Sequence, residues 1–307
     1  MSKRIWLGAM ATLFLIIAVY WLMQRPDKRP AGDSHGRLTV TASVYPVYFF
    51  SREIGGDRAQ VKNITPAGVE AHDYEPTAQD LIRIENSDLV VLNGAGLESW
   101  GDNLAANLDS RQSMVVASAG LADWQIGEEG QERADPHVWL SPVLAVKMVD
   151  NIRDGFIRAD KANQDYYEKR AAALKTRLAD LDVRYRQGLA HCRLSNIVTS
   201  HAAFHYLAQA YNLQPLAITG LSPDVEPSPA QLAELVNSIK DKQIKHIFFE
   251  RLASPALSAM IAQEAGAATL VLDPLEGLVD ADIARGRDYF TVMQDNLDNL
   301  RIALQCQ

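Results

Sequence analysis

Three histidines and one aspartate in this chain of 307 residues have the types and settings to do chemistry. His72 lies in Ala71-His72-Asp73-Tyr74-Glu75-Pro76-Thr77, His137 in Asp135-Pro136-His137-Val138-Trp139, His201 in Ser200-His201-Ala202-Ala203-Phe204, and Asp273 in Leu272-Asp273-Pro274-Leu275. The intervals of 65, 64 and 72 residues are too long for one helix face or one loop, so only a tertiary fold could unite them. Three imidazoles and a carboxylate suit a divalent transition metal. The set fits four-coordinate Zn²⁺ better than Mn²⁺, which prefers more oxygen donors, while copper would bind such donors by intrinsic affinity.

Other polar residues lie near these four. Asp135 and Glu250 each have two readings, as a group that orients a ligand imidazole or as a solvated carboxylate. His205, four residues after His201, could share a helix face with it and chelate, although a packed or orienting role fits a helix start better. His35, His191 and His246 receive no role, and Trp139 reads as core. The competing class is a zinc-dependent hydrolase, which would need an open metal position and a general base. No His-Glu-x-x-His motif is present, Glu250 is the one plausible base, and four protein ligands would close the site. The chain therefore reads as a binding protein, not an enzyme.

The elements that must position these groups alternate between strand and helix from residue 38. Strands are predicted at 38–43, 59–64, 88–93 and 114–117, and again at 196–199, 214–218, 246–249 and 269–272. Helices between them imply parallel sheets with both faces covered. Thr77 with Asp80, and Ser228-Pro229 with Gln231, read as helix starts. Residues 122–134 read as an acidic surface loop, and a helix is expected from about Ala202. From 160 to 189 apolar residues recur at three- and four-residue steps without Gly or Pro until Gly188, predicting one long helix. The expected fold class is α/β, with two lobes of four parallel strands each, at 38–159 and 190–307, joined by that helix. Ligands of open parallel sheets bind beyond the carboxyl ends of the strands, so the four groups could converge in a cleft between the lobes, two from each.

Composition and charge narrow the class further. Residues 1–37 hold six basic and two acidic residues, which leaves 24 basic against 36 acidic in the remainder. An acidic body argues against nucleic acid as a partner. Ile5 to Met23 is an uncharged apolar run of nineteen residues, long enough to span a bilayer. It reads as an uncleaved membrane anchor, with a cleaved signal peptide as the alternative, followed by a tether at 24–37. No cysteine lies near it to carry a lipid. Cys192 and Cys306 are the two cysteines; outside the cytoplasm they would form one disulfide, the other reading being two separate buried thiols.

The four segments, together with Gly220-Leu221-Ser222-Pro223-Asp224-Val225-Glu226-Pro227-Ser228-Pro229, resemble the motifs of the zinc/manganese solute-binding proteins of ABC transporters over about residues 38–307. The resemblance implies an extracytoplasmic, monomeric protein that captures Zn²⁺ and delivers it to an ABC permease and its ATPase. Mn²⁺ is the alternative cargo, and an adhesin-like surface role could be additional. It also implies His72 and His137 as ligands from the first lobe and His201 and Asp273 from the second. Manganese members tend to place a carboxylate where His201 stands. Many zinc members carry histidines in the acidic loop, and residues 122–134 have none.

Overall fold

The computed structural model describes residues 36–101, 103–104, 112–128, 131–223 and 227–307. The apolar run at 5–23 and nearly all of the tether lie outside the described residues, as do residues 224–226 of the 220–229 segment. Among the described residues no helix is long and apolar enough to cross a membrane.

The first sheet contains β1 (Leu38–Ala42), β2 (Ala59–Asn63), β3 (Leu89–Leu92) and β4 (Ser113–Val116), all parallel in the order β2-β1-β3-β4. Helices α1 (Tyr45–Gly55) and α2 (Ala78–Glu85) lie between its strands in sequence. Thr77 caps α2: its hydroxyl accepts the Asp80 N–H while the Asp80 carboxylate accepts the Thr77 N–H. Residues 122–134, expected as a loop, instead include an antiparallel hairpin of β5 (Gln125–Glu128) and β6 (Gln131–Ala134). Its polar composition concealed the pairing, because neither Gln125–Glu128 nor Gln131–Ala134 carries an alternating apolar pattern.

Helix α3 (Pro142–Ala159) packs on the sheet, and Gly155 permits the approach, since a Cβ there would lie 2.1 Å from a methyl of Val115. Helix α4 (Gln164–Gly188) is the long helix, about 37 Å from end to end. Its buried face is Tyr167, Ala171, Leu174, Leu178, Leu181 and Tyr185.

The second sheet repeats the design with β7 (Asn196–Thr199), β8 (Gln214–Ala217), β9 (His246–Phe249) and β10 (Ala268–Val271), parallel in the order β10-β9-β7-β8. Its helices are α5 (His205–Ala210), α6 (Pro229–Asp241) and α7 (Ala256–Ala265), followed by the short α8 (Asp280–Ala284) and the closing α9 (Tyr289–Leu304). Ser228 and Gln231 cap α6 reciprocally. Helix α5 begins at His205, so residues 201–204 form a bend and not the expected first helical turn.

Each sheet faces a core on both sides, which is why the inner strand β3 reads as a continuous apolar run. Val90 and Ile84 form a small cluster on the first sheet, and Val198, Ile239 and Ile261 form another on the second. A single larger cluster joins the sheets, running from Val40 and Leu89 through Trp139, Leu178 and Tyr185 to Ile197, Phe248 and Leu300. The Tyr185 hydroxyl donates to the Met293 carbonyl at 2.7 Å, tying α4 to α9. Cys192 and Cys306 form a disulfide that fastens the C-terminus beside the end of α4.

Candidate functional site

Four side chains from separate loops meet beyond the carboxyl ends of the strands: His72, His137, His201 and Glu276. His72 projects from the loop after β2, His137 from the segment after β6, His201 from the bend after β7, and Glu276 from the turn after β10. The Glu276 Oε1 lies 3.4 Å from His72 Nε2, 3.0 Å from His137 Nε2 and 3.1 Å from His201 Nε2. His137 Nε2 is 3.1 Å from His72 Nε2 and 3.2 Å from His201 Nε2. A tetrahedron of bonds about 2.0–2.1 Å long has edges of about 3.3 Å. The four donor atoms are therefore spaced to surround one small cation.

Two carboxylates set the imidazoles in place. Asp135 Oδ1 accepts both the backbone N–H of His137, at 2.9 Å, and its Nδ1–H, at 2.7 Å. Glu250 Oε1 accepts the His201 Nδ1–H at 2.8 Å and the His201 backbone N–H at 3.2 Å. With Nδ1 engaged as a donor, each neutral ring turns a lone pair on Nε2 toward the centre. Both carboxylates are buried, so neither is solvated. His205 does not join the group; its ring stacks on Trp124, with centroids 3.8 Å apart. The bend at 201–204 puts the two histidines in different surroundings, which removes the expected common helix face.

Asp273 is the expected ligand that the fold sends elsewhere. Its Oδ1 accepts the Leu275 N–H at 2.8 Å, closing an Asx turn, and its Oδ2 lies 3.4 Å from Arg251 Nε. Its backbone N–H donates to the Asn296 side chain, whose amide donates back to its carbonyl. Leu275 takes a left-handed conformation, φ +60°, and this reversal delivers Glu276 to the pocket. Glu276, not Asp273, thus supplies the carboxylate. The available signal was a Glu between Leu275 and Leu278, because a charge in an apolar run needs a buried partner.

The loops are braced against one another across the two sheets. The Gly68 N–H donates to the Leu278 carbonyl at 3.1 Å, joining the His72 loop to the Glu276 turn. Trp139 is core, as expected, but its indole N–H also donates to the Pro274 carbonyl at 2.7 Å. Glu70, absent from the sequence reading, accepts the His72 N–H at 3.2 Å.

Burial and charge oppose each other throughout the pocket. Burial alone would lower the pKa of His201, but the charges of Glu250 and Glu276 outweigh it and hold it well above the usual value. His137 is raised in the same way, with Asp135 and Glu276 overcoming burial. His72 is lowered because burial prevails. Glu276 stays well below the ordinary carboxylate range: burial opposes ionisation, and the three histidines more than compensate. Glu70 is pushed up to about 9 by burial and by the Glu276 charge. Asp273 rises to about 6, again through burial, with Leu275 and Arg251 limiting the rise.

His72 is the one donor with side-chain exposure, 11%, against none for the other three. It opens into a cavity of about 600 Å³ lined by Asp73, Leu97, Arg133, Pro136 and Ser222, among others, so residues from both halves of the chain form the mouth.

Fold and site together define a two-lobed α/β binding protein whose closed pocket of three imidazoles and a carboxylate could hold a metal ion. The chain belongs to the family described as "Zinc-uptake complex component A periplasmic", whose model matches residues 40–303. It is 40% identical over 281 residues to the zinc-binding lipoprotein AdcA of Streptococcus pneumoniae, which covers 88% of this chain and 56% of that protein. It is 37% identical over 308 residues to the high-affinity zinc uptake system protein ZnuA of Bacillus subtilis, covering 95% and 97%. The crystal structure of the Zn(II)-bound ZnuA-like domain of S. pneumoniae AdcA superposes with a TM-score of 0.76 at 40% identity, covering 88% of this chain and 99% of that one. The chain thus spans about half the length of the AdcA relative and nearly all of ZnuA.

Proposed function

We propose that this protein captures Zn²⁺ outside the cytoplasm and delivers it to an ABC-type permease and its ATPase. The observation that carries the proposal is the spacing of the donors, with Glu276 Oε1 3.0–3.4 Å from the three imidazole nitrogens and His137 Nε2 3.1–3.2 Å from the other two, which matches edges of a zinc tetrahedron. The relatives' names, zinc-binding lipoprotein and zinc uptake system protein, support zinc as the cargo. Three nitrogen donors disfavour Mn²⁺. Four protein ligands leave no position for a catalytic water, and Glu250, the candidate base of a hydrolase, is engaged by His201.

His72, His137, His201 and Glu276 are the ligands in this reading. Asp135 and Glu250 hold two imidazoles in the metal-binding tautomer. The lobes at 38–159 and 190–307, connected by residues 160–189, contribute two ligands each, so release requires the pairs to part. The apolar run at 5–23 keeps the protein at the membrane as an uncleaved anchor. Competitive zinc titration of the purified chain tests the proposal. Tight, one-to-one binding lost in His201→Ala is expected, and weak binding or binding indifferent to that substitution overturns it. N-terminal sequencing of the membrane-associated protein tests the anchor; a start beyond residue 23 would show cleavage.

A further inference from the structure

We propose that Tyr206, a residue of the second lobe, positions the first-lobe ligand His137 through Asp135 and thereby slows zinc release. The inference rests on the zinc-capture reading. Tyr206 is buried on α5, five residues after His201. Its hydroxyl donates to the Asp135 carbonyl at 3.2 Å and accepts the Trp124 N–H at 3.3 Å. These residues bracket the β5–β6 hairpin, and the Asp135 N–H donates to the Trp124 carbonyl at 3.0 Å. The Tyr206 hydroxyl is thus bound at the hairpin's root. His205, its neighbour, stacks on Trp124 with an interplanar angle of 12°, gripping the same root from α5.

Both partners of that hydroxyl belong to the hairpin root, and one of them is the residue that orients His137. Asp135 holds His137 through two bonds to one carboxylate oxygen. A short path therefore runs from His201 through the bend at 201–204 to Tyr206 on α5, across to Asp135, and on to His137. The hydroxyl contact fixes the Asp135 backbone from which its carboxylate reaches His137, and so keeps the His137 lone pair aimed at the ion. When the ligand pairs part, this contact breaks and the ligand is freed.

Tyr206→Phe keeps the ring and removes the hydroxyl. Tyr211→Phe is the control, because the Tyr211 hydroxyl donates to Asp182 on α4, away from the pocket. Zinc release from the full chain into excess chelator should be about fivefold faster in Tyr206→Phe, the effect of one lost hydrogen bond, and unchanged in Tyr211→Phe. In the zinc-loaded protein the His137 Nδ1–H proton resonance should move in Tyr206→Phe, while that of His201, bonded to Glu250, should stay. The control separates this role from a general loss of packing even if the substitution lowers stability. Equal release rates in the two variants, an unaltered rate in Tyr206→Phe, or equal shifts at His137 and His201 would overturn the inference alone. A wild-type chain that does not bind zinc would overturn the capture reading beneath it.

Discussion

Replacing Glu276 by glutamine should weaken zinc binding by about two orders of magnitude, whereas Asp273→Asn should change it by less than about threefold. The contrast follows from where each carboxylate lies. Glu276 Oε1 is within 3.4 Å of all three imidazole nitrogens and carries the one anionic donor of the pocket. Structural zinc sites are worth about 10–16 kcal/mol over four ligands, or roughly 3 kcal/mol for each, and that is about a hundredfold in affinity. Glutamine retains an oxygen of similar reach, so the loss reports the charge as a donor and not an altered volume. Asp273 contributes no atom to the cluster, and an asparagine oxygen can still accept the Leu275 N–H that closes the turn. Titration against a chromogenic chelator, with equal melting of the metal-free variants as a check on folding, measures both. Retained affinity in Glu276→Gln together with lost affinity in Asp273→Asn would refute the assignment.

Asp135→Asn and Glu250→Gln should each lower zinc affinity by about 10–100-fold in the same titration, because each releases a ligand imidazole from its fixed tautomer. The metal-free and zinc-loaded proteins should respond to pH with opposite sign. His201 and His137 have raised pKa values in the folded chain, so their stabilising effect is complete below 6.5 and disappears as pH rises through the folded values. Glu276 is depressed, so its contribution is present above 4.5 and fades as pH falls through its folded value. Thermal melting of the metal-free protein should therefore show this stabilisation at its fullest between 4.5 and 6.5, while zinc affinity climbs with pH because binding must expel the imidazole protons. Calorimetry in buffers of differing ionisation heat should detect that proton release at neutral pH. Reduction of Cys192–Cys306, which closes a loop with a sequence separation of 114, should cost about 4–5 kcal/mol in the chain-entropy account and leave zinc affinity unaltered. Chelator titration and melting with and without reductant check both halves of that expectation.

Zinc import, the proposed role, asks the protein to hold an ion firmly and then let it go, and the packing suits that demand. One apolar cluster runs through both sheets by way of α4 and α9, so the lobes are not free bodies on a flexible linker. The ligand loops, by contrast, are joined by a few identifiable hydrogen bonds, Gly68 to Leu278 and Trp139 to Pro274 among them. Separation of the ligand pairs can proceed by small movements of these loops while the shared core stays closed.

Local pattern was enough for most of the architecture. Buried parallel strands such as Leu89–Leu92 need apolar residues on both faces, and α4 needs an apolar stripe at helical spacing, so both announce themselves along the chain. The β5–β6 hairpin did not, since its strands are held by backbone bonds and its polar residues carry no period. The three histidines were legible through the segments around them. The carboxylate was not: Asp273 lies two residues past the end of β10, but a left-handed Leu275 reverses the chain and brings Glu276 inward. The roles of Asp135 and Glu250 were open until bond distances placed each against one imidazole nitrogen. The sequence by itself thus determined which elements form and which histidines were candidates, because periodicity and residue type act over a few neighbours. Only the tertiary structure decided which carboxylate completes the pocket and which lone pairs face its centre, because a side chain's direction depends on one turn's dihedral angles and on the atoms that the fold brings against it.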